Sequence, residues 1–205
     1  MNKASLFVIT ISRQLGSGGS YLGQKLAKNL NIFYADREIV SQAAQKFSVL
    51  EEDLESLDEK TTSFWESFFQ SFTFASEIYI PPHVMGPTDR ELFEAESEII
   101  KRIVKERSAV IMGRCSTYIF YNHPNHVSIF LHASIPFRKS RVQDLYHVSE
   151  EVAGKMITQC DKERALYYHT FTGKEWTDVR QYDLAIDTSK LGFDQSEALI
   201  MKYLE

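Results

Sequence analysis

Ser12, Arg13, Gln14 and Leu15 lead from an apolar run, LFVITI at 6–11, into Gly16-Ser17-Gly18-Gly19-Ser20, an order of residue types suited to holding phosphate. Small residues let successive backbone N–H groups converge on one anion, and a helix opening near Gly19 adds the positive end of its dipole. Strand, turn and helix in that order is the setting of a P-loop, whose pattern G-x-x-x-x-G-K-[ST] puts Lys and then a hydroxyl after the last glycine, for the terminal phosphates and Mg²⁺. Here Ser20 and Tyr21 occupy those places. Taken alone, the turn fits a phosphate cradle and an ordinary tight connection about equally.

Phosphoryl transfer asks little covalent chemistry of a protein, but it requires cations around the moving group and an in-line geometry. The arginines therefore matter most. Arg138 and Arg141 stand at i and i+3 on one helical face, which suits a clamp on phosphate oxygens and also a solvated basic face. Asp161-Lys162-Glu163-Arg164 presents Lys162 and Arg164 on another helix, or else a ladder of local ion pairs. Arg114 follows Gly113 at the end of the run Ala109-Val110-Ile111-Met112, a position that aims it into a ligand crevice. Asp36, ahead of Arg37 and just after Ile32-Phe33-Tyr34, suits a sugar, a base or hydrated magnesium, and equally the N-cap of a following helix. The six histidines form no HxxxH or HxH pair, so no imidazole metal site is read, and no G-x-S-x-G elbow supports a serine hydrolase.

The elements that must position these groups follow from periodicity. Leu22, Leu26 and Leu30 recur at helical spacing after the glycine turn. Ser48 with Glu51 marks a short acidic helix, and Thr88 with Glu91 a long one ending near Arg107. Val127 to Leu131 and Tyr182 to Ile186 read as strands. Ser134 precedes the helix carrying Arg138 and Arg141, and Asp194 with Glu197 opens the closing helix. Strands alternating with helices predict one α/β domain with a parallel, doubly wound sheet. Ligands bind outside the carboxyl ends of such strands, and those ends deliver Gly16 to Ser20, Asp36, Arg37, Gly113, Arg114 and Asp187 together. The rings of Phe64, Trp65, Phe68, Phe69, Phe72 and Phe74 come at roughly helical spacing and read as core or interface, with a dimer surface or a nucleobase floor as alternatives.

At 205 residues and 43% hydrophobic, the chain suits a single domain with a substantial core. A net charge of -5 argues against non-specific binding to nucleic acid, so the basic residues act through local clustering and the partners are small anions. The LFVITI run is too short for a signal sequence or a bilayer span, and no membrane association is expected. Cys115 and Cys160 belong to no CxxC pattern and read as reduced thiols in a cytoplasmic protein.

The blocks ITISRQLGSGGSYLG, FYADREIV, AVIMGRCSTYI, FLHASIPFRKSRV, DKERALYYHTFTGKEW and YDLAIDTSKLG, in that order and spacing, resemble the cytidylate kinase-like family, which is similar to authentic cytidylate kinases in the nucleoside monophosphate kinase group of P-loop proteins. The resemblance spans nearly the whole chain. It implies a P-loop NTPase-type three-layer sandwich: a five-stranded parallel sheet in the order 2-3-1-4-5, helices on both faces, an acceptor-binding helical insertion at about 45–100 and a helical lid at about 136–180. It further implies ATP-dependent phosphoryl transfer to a nucleoside monophosphate, CMP or dCMP first, with Mg²⁺ bridging the donor phosphates. Carried over by residue, Gly16, Ser17, Gly18, Gly19 and Ser20 cradle the donor phosphates, and Asp36, Arg37 and Arg114 form the acceptor site. Arg138, Arg141 and Arg164 are the catalytic cations of the lid, Asp187 closes the last strand in a structural role, and the metal ligands are not legible.

Authentic cytidylate kinases carry Lys where this chain has Ser20, and cytidylate kinase-like chains commonly carry Arg. Arg13 and Lys25 are the substitutes within reach, each only where the local path brings it in. The missing cation keeps open a second reading, a nucleotide-binding regulator with little or no transfer. The aromatic run at 64–74 keeps open a third, assembly into a homo-oligomer.

Overall fold

Val8–Arg13 forms the central strand, β1, because β-branched residues run unbroken from Val8 to Ile11 and both of its faces are covered. It belongs to a computed structural model that describes residues 5–36, 40 and 89–205. After β1 come α1 (Gly19–Leu30), β2 (Phe33–Ala35), α2 (Asp89–Glu106), β3 (Ala109–Met112), α3 (Ser116–Ile119) and β4 (His126–His132). Then follow α4 (Ile135–Tyr146), α5 (Glu150–Thr172), a 3-10 turn at Val179–Gln181, β5 (Leu184–Asp187) and α6 (Thr188–Tyr203). The strands pair in parallel in the order β2-β3-β1-β4-β5, as the resemblance implies. Val8 stands beside Ala109 on one side and His126 on the other, and Arg13 beside Leu131, so all the carboxyl ends open at one edge.

The two faces divide by the pleat. Ile9 and Ile11 point to the side covered by α1 and α6, where Leu22, Leu26, Val110, Met112, Ile129, Leu131 and Ile200 complete a core. Val8, Ala109 and Ile111 point to the other side, against Ile99, Ile100, Ile103 and Val104 of α2. A third cluster, Leu15, Val142, Ala153, Ile157 and Cys160, roots the α4–α5 hairpin on the turn after β1. Removing a fully buried isoleucine such as Ile100 to Ala costs about 2–5 kcal/mol at sites of this kind. Cys115 and Cys160 are free and buried, and burial pushes both thiols up, Cys115 to about 12, which keeps them protonated and inert. No described helix is long and apolar enough to cross a membrane.

Two boundaries differ from the sequence reading. Asp187 caps α6 by accepting from Ser189 N at 3.0 Å, so the closing helix begins at Thr188, ahead of Asp194. A break at Gly192, φ 72° and ψ 170°, separates its first turn from the rest, and Asp194 pairs with Lys25 at 2.7 Å. β5 starts at Leu184, two positions late, because Asp183 is tied by its side chain to Ser128 N and Oγ, both at 2.8 Å. The helix expected at Ser48, the aromatic run at 64–74 and most of the 45–100 insertion lie outside the described residues.

One buried group links this core to pH. His126 Nε2 lies 2.8 Å from Thr10 Oγ1, which lies 3.0 Å from Thr117 Oγ1, and burial holds the imidazole down to about 4. The unfolded chain takes up that proton near pH 6.5 and the folded chain only near 4, so the stabilisation is present above 6.5 and is lost as pH falls through that window. Urea unfolding at stepped pH should therefore show wild-type stability falling between 6.5 and 4. His126→Asn should flatten that fall by up to about 3 kcal/mol.

Candidate active site

The glycine turn is shaped before any ligand arrives. Gly16 has φ 81°, and a Cβ there would stand 2.8 Å from the Arg138 carbonyl oxygen, so conformation and contact both require glycine. Gln14 O accepts from Ser17 N at 3.3 Å and from Ser17 Oγ at 2.9 Å, while Thr188 Oγ1 donates to Ser17 O at 2.9 Å. Ser17 is fully buried and its side chain faces inward. Gly18 caps α1 without a side-chain bond, and the first turn holds no acidic residue, so the leading N–H groups of α1 and their dipole are left for an anion.

Leu15, just before the turn, is gripped from two helices. Its N–H donates to Asp161 Oδ1 of α5 at 3.0 Å, its carbonyl accepts from Arg138 Nε of α4 at 2.7 Å, and Arg138 Nη2 pairs with Asp161 Oδ2. Arg164 Nη1 donates to the Arg13 carbonyl at 3.1 Å and stands 3.8 Å from Asp161 Oδ1. Arg138 is only 2% exposed. Two of the donors of this expected catalytic cation, Nε and Nη2, go to Leu15 and Asp161, so in this arrangement it also holds the turn. Arg141, one turn on, lies over the Phe193 ring at 4.7 Å and the Tyr21 ring at 5.9 Å. Phe193 in turn packs over Gly18, 5.2 Å from Tyr21. Arg138 and Arg141 thus part company despite their i, i+3 spacing.

On the other side of β1, Arg114 sits at φ 56° one glycine beyond β3 and pairs with Glu96 of α2, a carboxylate 1% exposed. The Arg114 guanidinium lies 5.2 Å over the Tyr167 ring, which meets Phe93 and Phe171 at 6.2 and 4.8 Å. Glu96, Phe93 and Tyr167 were not singled out from sequence. Glu96 left a trace there, a carboxylate set in the helical stripe of Ile99, Ile100 and Ile103. Asp36 directly follows β2, and its charge favours the protonated guanidinium of Arg13 nearby. Arg37 lies outside the described residues.

Arg13 itself crosses the middle of the edge. A Cβ on Gly19 would lie 2.5 Å from its Cγ, and one on Gly113 would overlap its Nη1. Lys25, the other cation near the turn, is taken by Asp194 and Glu197 at 2.7 and 2.6 Å. No cluster of three His, Cys, Asp or Glu side chains occurs among the described residues. The Ser20 hydroxyl and the Asp36 carboxylate are oxygens at this edge, the donor type that a magnesium ion takes.

Comparison with known proteins agrees with this geometry. The model of the cytidylate kinase-like family matches residues 8–190. Relatives include a cytidylate kinase of Pyrococcus horikoshii, 29% identical over 185 residues that cover 89% of this chain and 80% of the other. Another is a cytidylate kinase of Saccharolobus islandicus, 24% identical over 201 residues, covering 96% and 90%. Among solved structures, an uncharacterized protein from Eubacterium ventriosum matches with a TM-score of 0.73 at 24% identity, covering 97% of this chain and 98% of that one. Shikimate kinase from Bacteroides thetaiotaomicron matches at 0.53 and 13% identity, covering 98% and 99%, which is a likeness of fold.

The grip on Leu15 has a measurable consequence. Asp161→Ala leaves Arg138 buried without its counter-charge and Leu15 N without its acceptor, so urea unfolding should show a loss of roughly 3 kcal/mol. Exposed Lys162 next to it should cost under about 0.5 kcal/mol when replaced by Ala.

Proposed function

The chain belongs to the cytidylate kinase-like family, and from that premise we propose that it transfers the terminal phosphoryl group of ATP to a nucleoside monophosphate, CMP or dCMP first. One observation carries the reading. In a chain of net charge -5, an uncapped helix N-terminus behind a glycine turn meets the guanidinium groups of Arg13, Arg114, Arg141 and Arg164 at one sheet edge. That is an anion site built in two halves.

The half formed by Gly16 to Ser20 takes the donor phosphates on its backbone N–H groups. The half around Arg114 takes the acceptor phosphate, with Glu96 fixing the direction of the guanidinium. Both halves lie at the carboxyl ends of the neighbouring strands β1 and β3, which supports the close approach that in-line transfer requires. Arg141 and Arg164 supply positive charge beside the donor, and the Arg141–Phe193–Tyr21 stack offers a surface for its base. Magnesium, when bound, neutralises phosphate charge, and the Ser20 hydroxyl and Asp36 carboxylate would hold its water shell. Arg138 positions the turn through Leu15. Small nucleotide substrates, together with buried inert thiols, favour a cytoplasmic setting.

ADP formation from Mg-ATP with CMP, dCMP, UMP, AMP and GMP, followed by mass spectrometry of the acceptor, tests the proposal. A diphosphate of CMP or dCMP is the expected product. ATP binding with no phosphorylated acceptor in the panel would instead support a nucleotide-binding regulator, the reading that Ser20 in place of lysine favours. Arg114→Ala should raise the acceptor KM about tenfold or more while leaving the ATP KM nearly unchanged. An unaltered acceptor KM would remove Arg114 from that site.

A further inference from the structure

The arginines at the sheet edge differ in how their charge is met. Arg114 has Glu96, Arg138 has Asp161, Arg164 shares Asp161 at 3.8 Å, and Arg141 lies over two rings. Arg13 has no such partner. Among the described residues no carboxylate pairs with it and no hydrogen bond holds its guanidinium. Its strongest charged neighbour is another guanidinium, that of Arg164. Burial first, and Arg164 second, hold Arg13 down to about 10, against weaker support from Tyr34, Cys160 and Asp36.

A half-buried cation facing a like charge is unfavourable by itself and becomes favourable once an anion lies between the two. The location says which anion. Arg13 leaves the end of the central strand, its Cβ and Cγ fill the space that a side chain on Gly19 would need, and its Nη1 reaches the space above Gly113. Gly19 is the first residue of α1, at the donor cradle, and Gly113 adjoins Arg114, at the acceptor half. The guanidinium therefore stands between the two. A lysine at position 20 would approach the same helix mouth from α1, whereas Arg13 approaches it from β1. Lys25 does not compete, since Asp194 and Glu197 hold it.

We propose that Arg13 is the cation the glycine turn lacks at Ser20, and that with Arg164 it binds the phosphoryl group lying between donor and acceptor. The identity of that group rests on the kinase reading, while the existence of the site rests on the surroundings of Arg13.

Calorimetry with inorganic tripolyphosphate and with ATP, on wild type, Arg13→Lys and Arg13→Met, separates the two. Arg13→Met should weaken both ligands by about tenfold or more, and Arg13→Lys should keep most of the affinity. In thermal melts without ligand, Arg13→Met should unfold at a higher temperature than wild type, because a half-buried unpaired charge is gone, yet lose the rise that tripolyphosphate gives wild type. Arg13→Gln serves for the same comparison if Arg13→Met does not fold. Equal tripolyphosphate affinity in wild type and the neutral variants overturns the assignment, even in an active kinase, and so does a wild type that binds neither ligand. Arg13-dependent binding of tripolyphosphate with no phosphorylated acceptor upholds the assignment and sets aside the kinase reading.

Discussion

The grip of Asp161 and Arg138 on Leu15 is the constraint on which the rest of the site depends. Two helices that would otherwise only pack against the sheet reach the backbone of the chain one residue before the glycine turn. Both ions in this grip are largely desolvated, so neither stabilises the fold unless the other is present, and removing one costs about 3–5 kcal/mol in comparable pairs. The third member is a peptide group, and this is what converts an ion pair into a positioning device. The N–H and the carbonyl of Leu15 are both fixed, so the path into Gly16 is fixed too, and Gly16 then accepts the close approach of the Arg138 backbone. The hydrophobic cluster of Leu15 with Val142, Ala153, Ile157 and Cys160 completes the same junction from the apolar side.

A division of labour among the arginines follows. A guanidinium that spends its donors on a backbone carbonyl and a buried counter-charge, as Arg138 does, holds backbone in place, and a fixed backbone is what a cradle of N–H groups needs. Arg114 is intermediate, because Glu96 orients it yet a guanidinium keeps further donors in its fork. Arg13 and Arg164 repel one another as like charges: Asp161, 3.8 Å from Arg164, is already engaged by Leu15 and Arg138, and Asp36 gives Arg13 only weak support. The edge thus grades from compensated to uncompensated positive charge within one chain whose overall charge is negative. Attraction for an anion is concentrated where compensation is least.

Much of the scaffold was legible because it depends on local pattern. β-branched runs, leucines at helical spacing and glycine after a strand define β1, α1, β3 and β4, and the family resemblance supplied the strand order. What periodicity could not show were partners far apart along the chain. Leu15 and Asp161 are separated by 146 positions, and nothing near either one announces the other. The i, i+3 spacing of Arg138 and Arg141 placed them on one face but could not say that Leu15 and Asp161 would occupy the first while aromatic rings received the second. Glu96 shares a helical stripe with Ile99, Ile100 and Ile103 and is buried with them, and no local pattern names Arg114 as its counter-charge. Asp194 lies at the start of the longer helical piece that follows the break at Gly192, and what the pattern did not show is the short turn before it, capped by Asp187 through Ser189 N.

The absence of lysine at position 20 looks different once side-chain paths are traced. In the motif, the last glycine before the lysine keeps the helix mouth open for phosphate. Here Gly19 also leaves room for the stem of Arg13, and Gly113, on the neighbouring strand, leaves room for its tip. Two positions without side chains, 94 residues apart in sequence (113 minus 19), thus accommodate one arginine between them. Either glycine alone would read as a turn. A lysine on the first turn of a helix carries its charge on a flexible four-carbon stem. An arginine rooted at the end of a central strand, and enclosed by glycines on two elements, has less freedom to lose when an anion binds. The geometry therefore moves the cation from helix to strand without moving the place where its charge is presented, and it makes that presentation depend on Gly19 and Gly113 staying small.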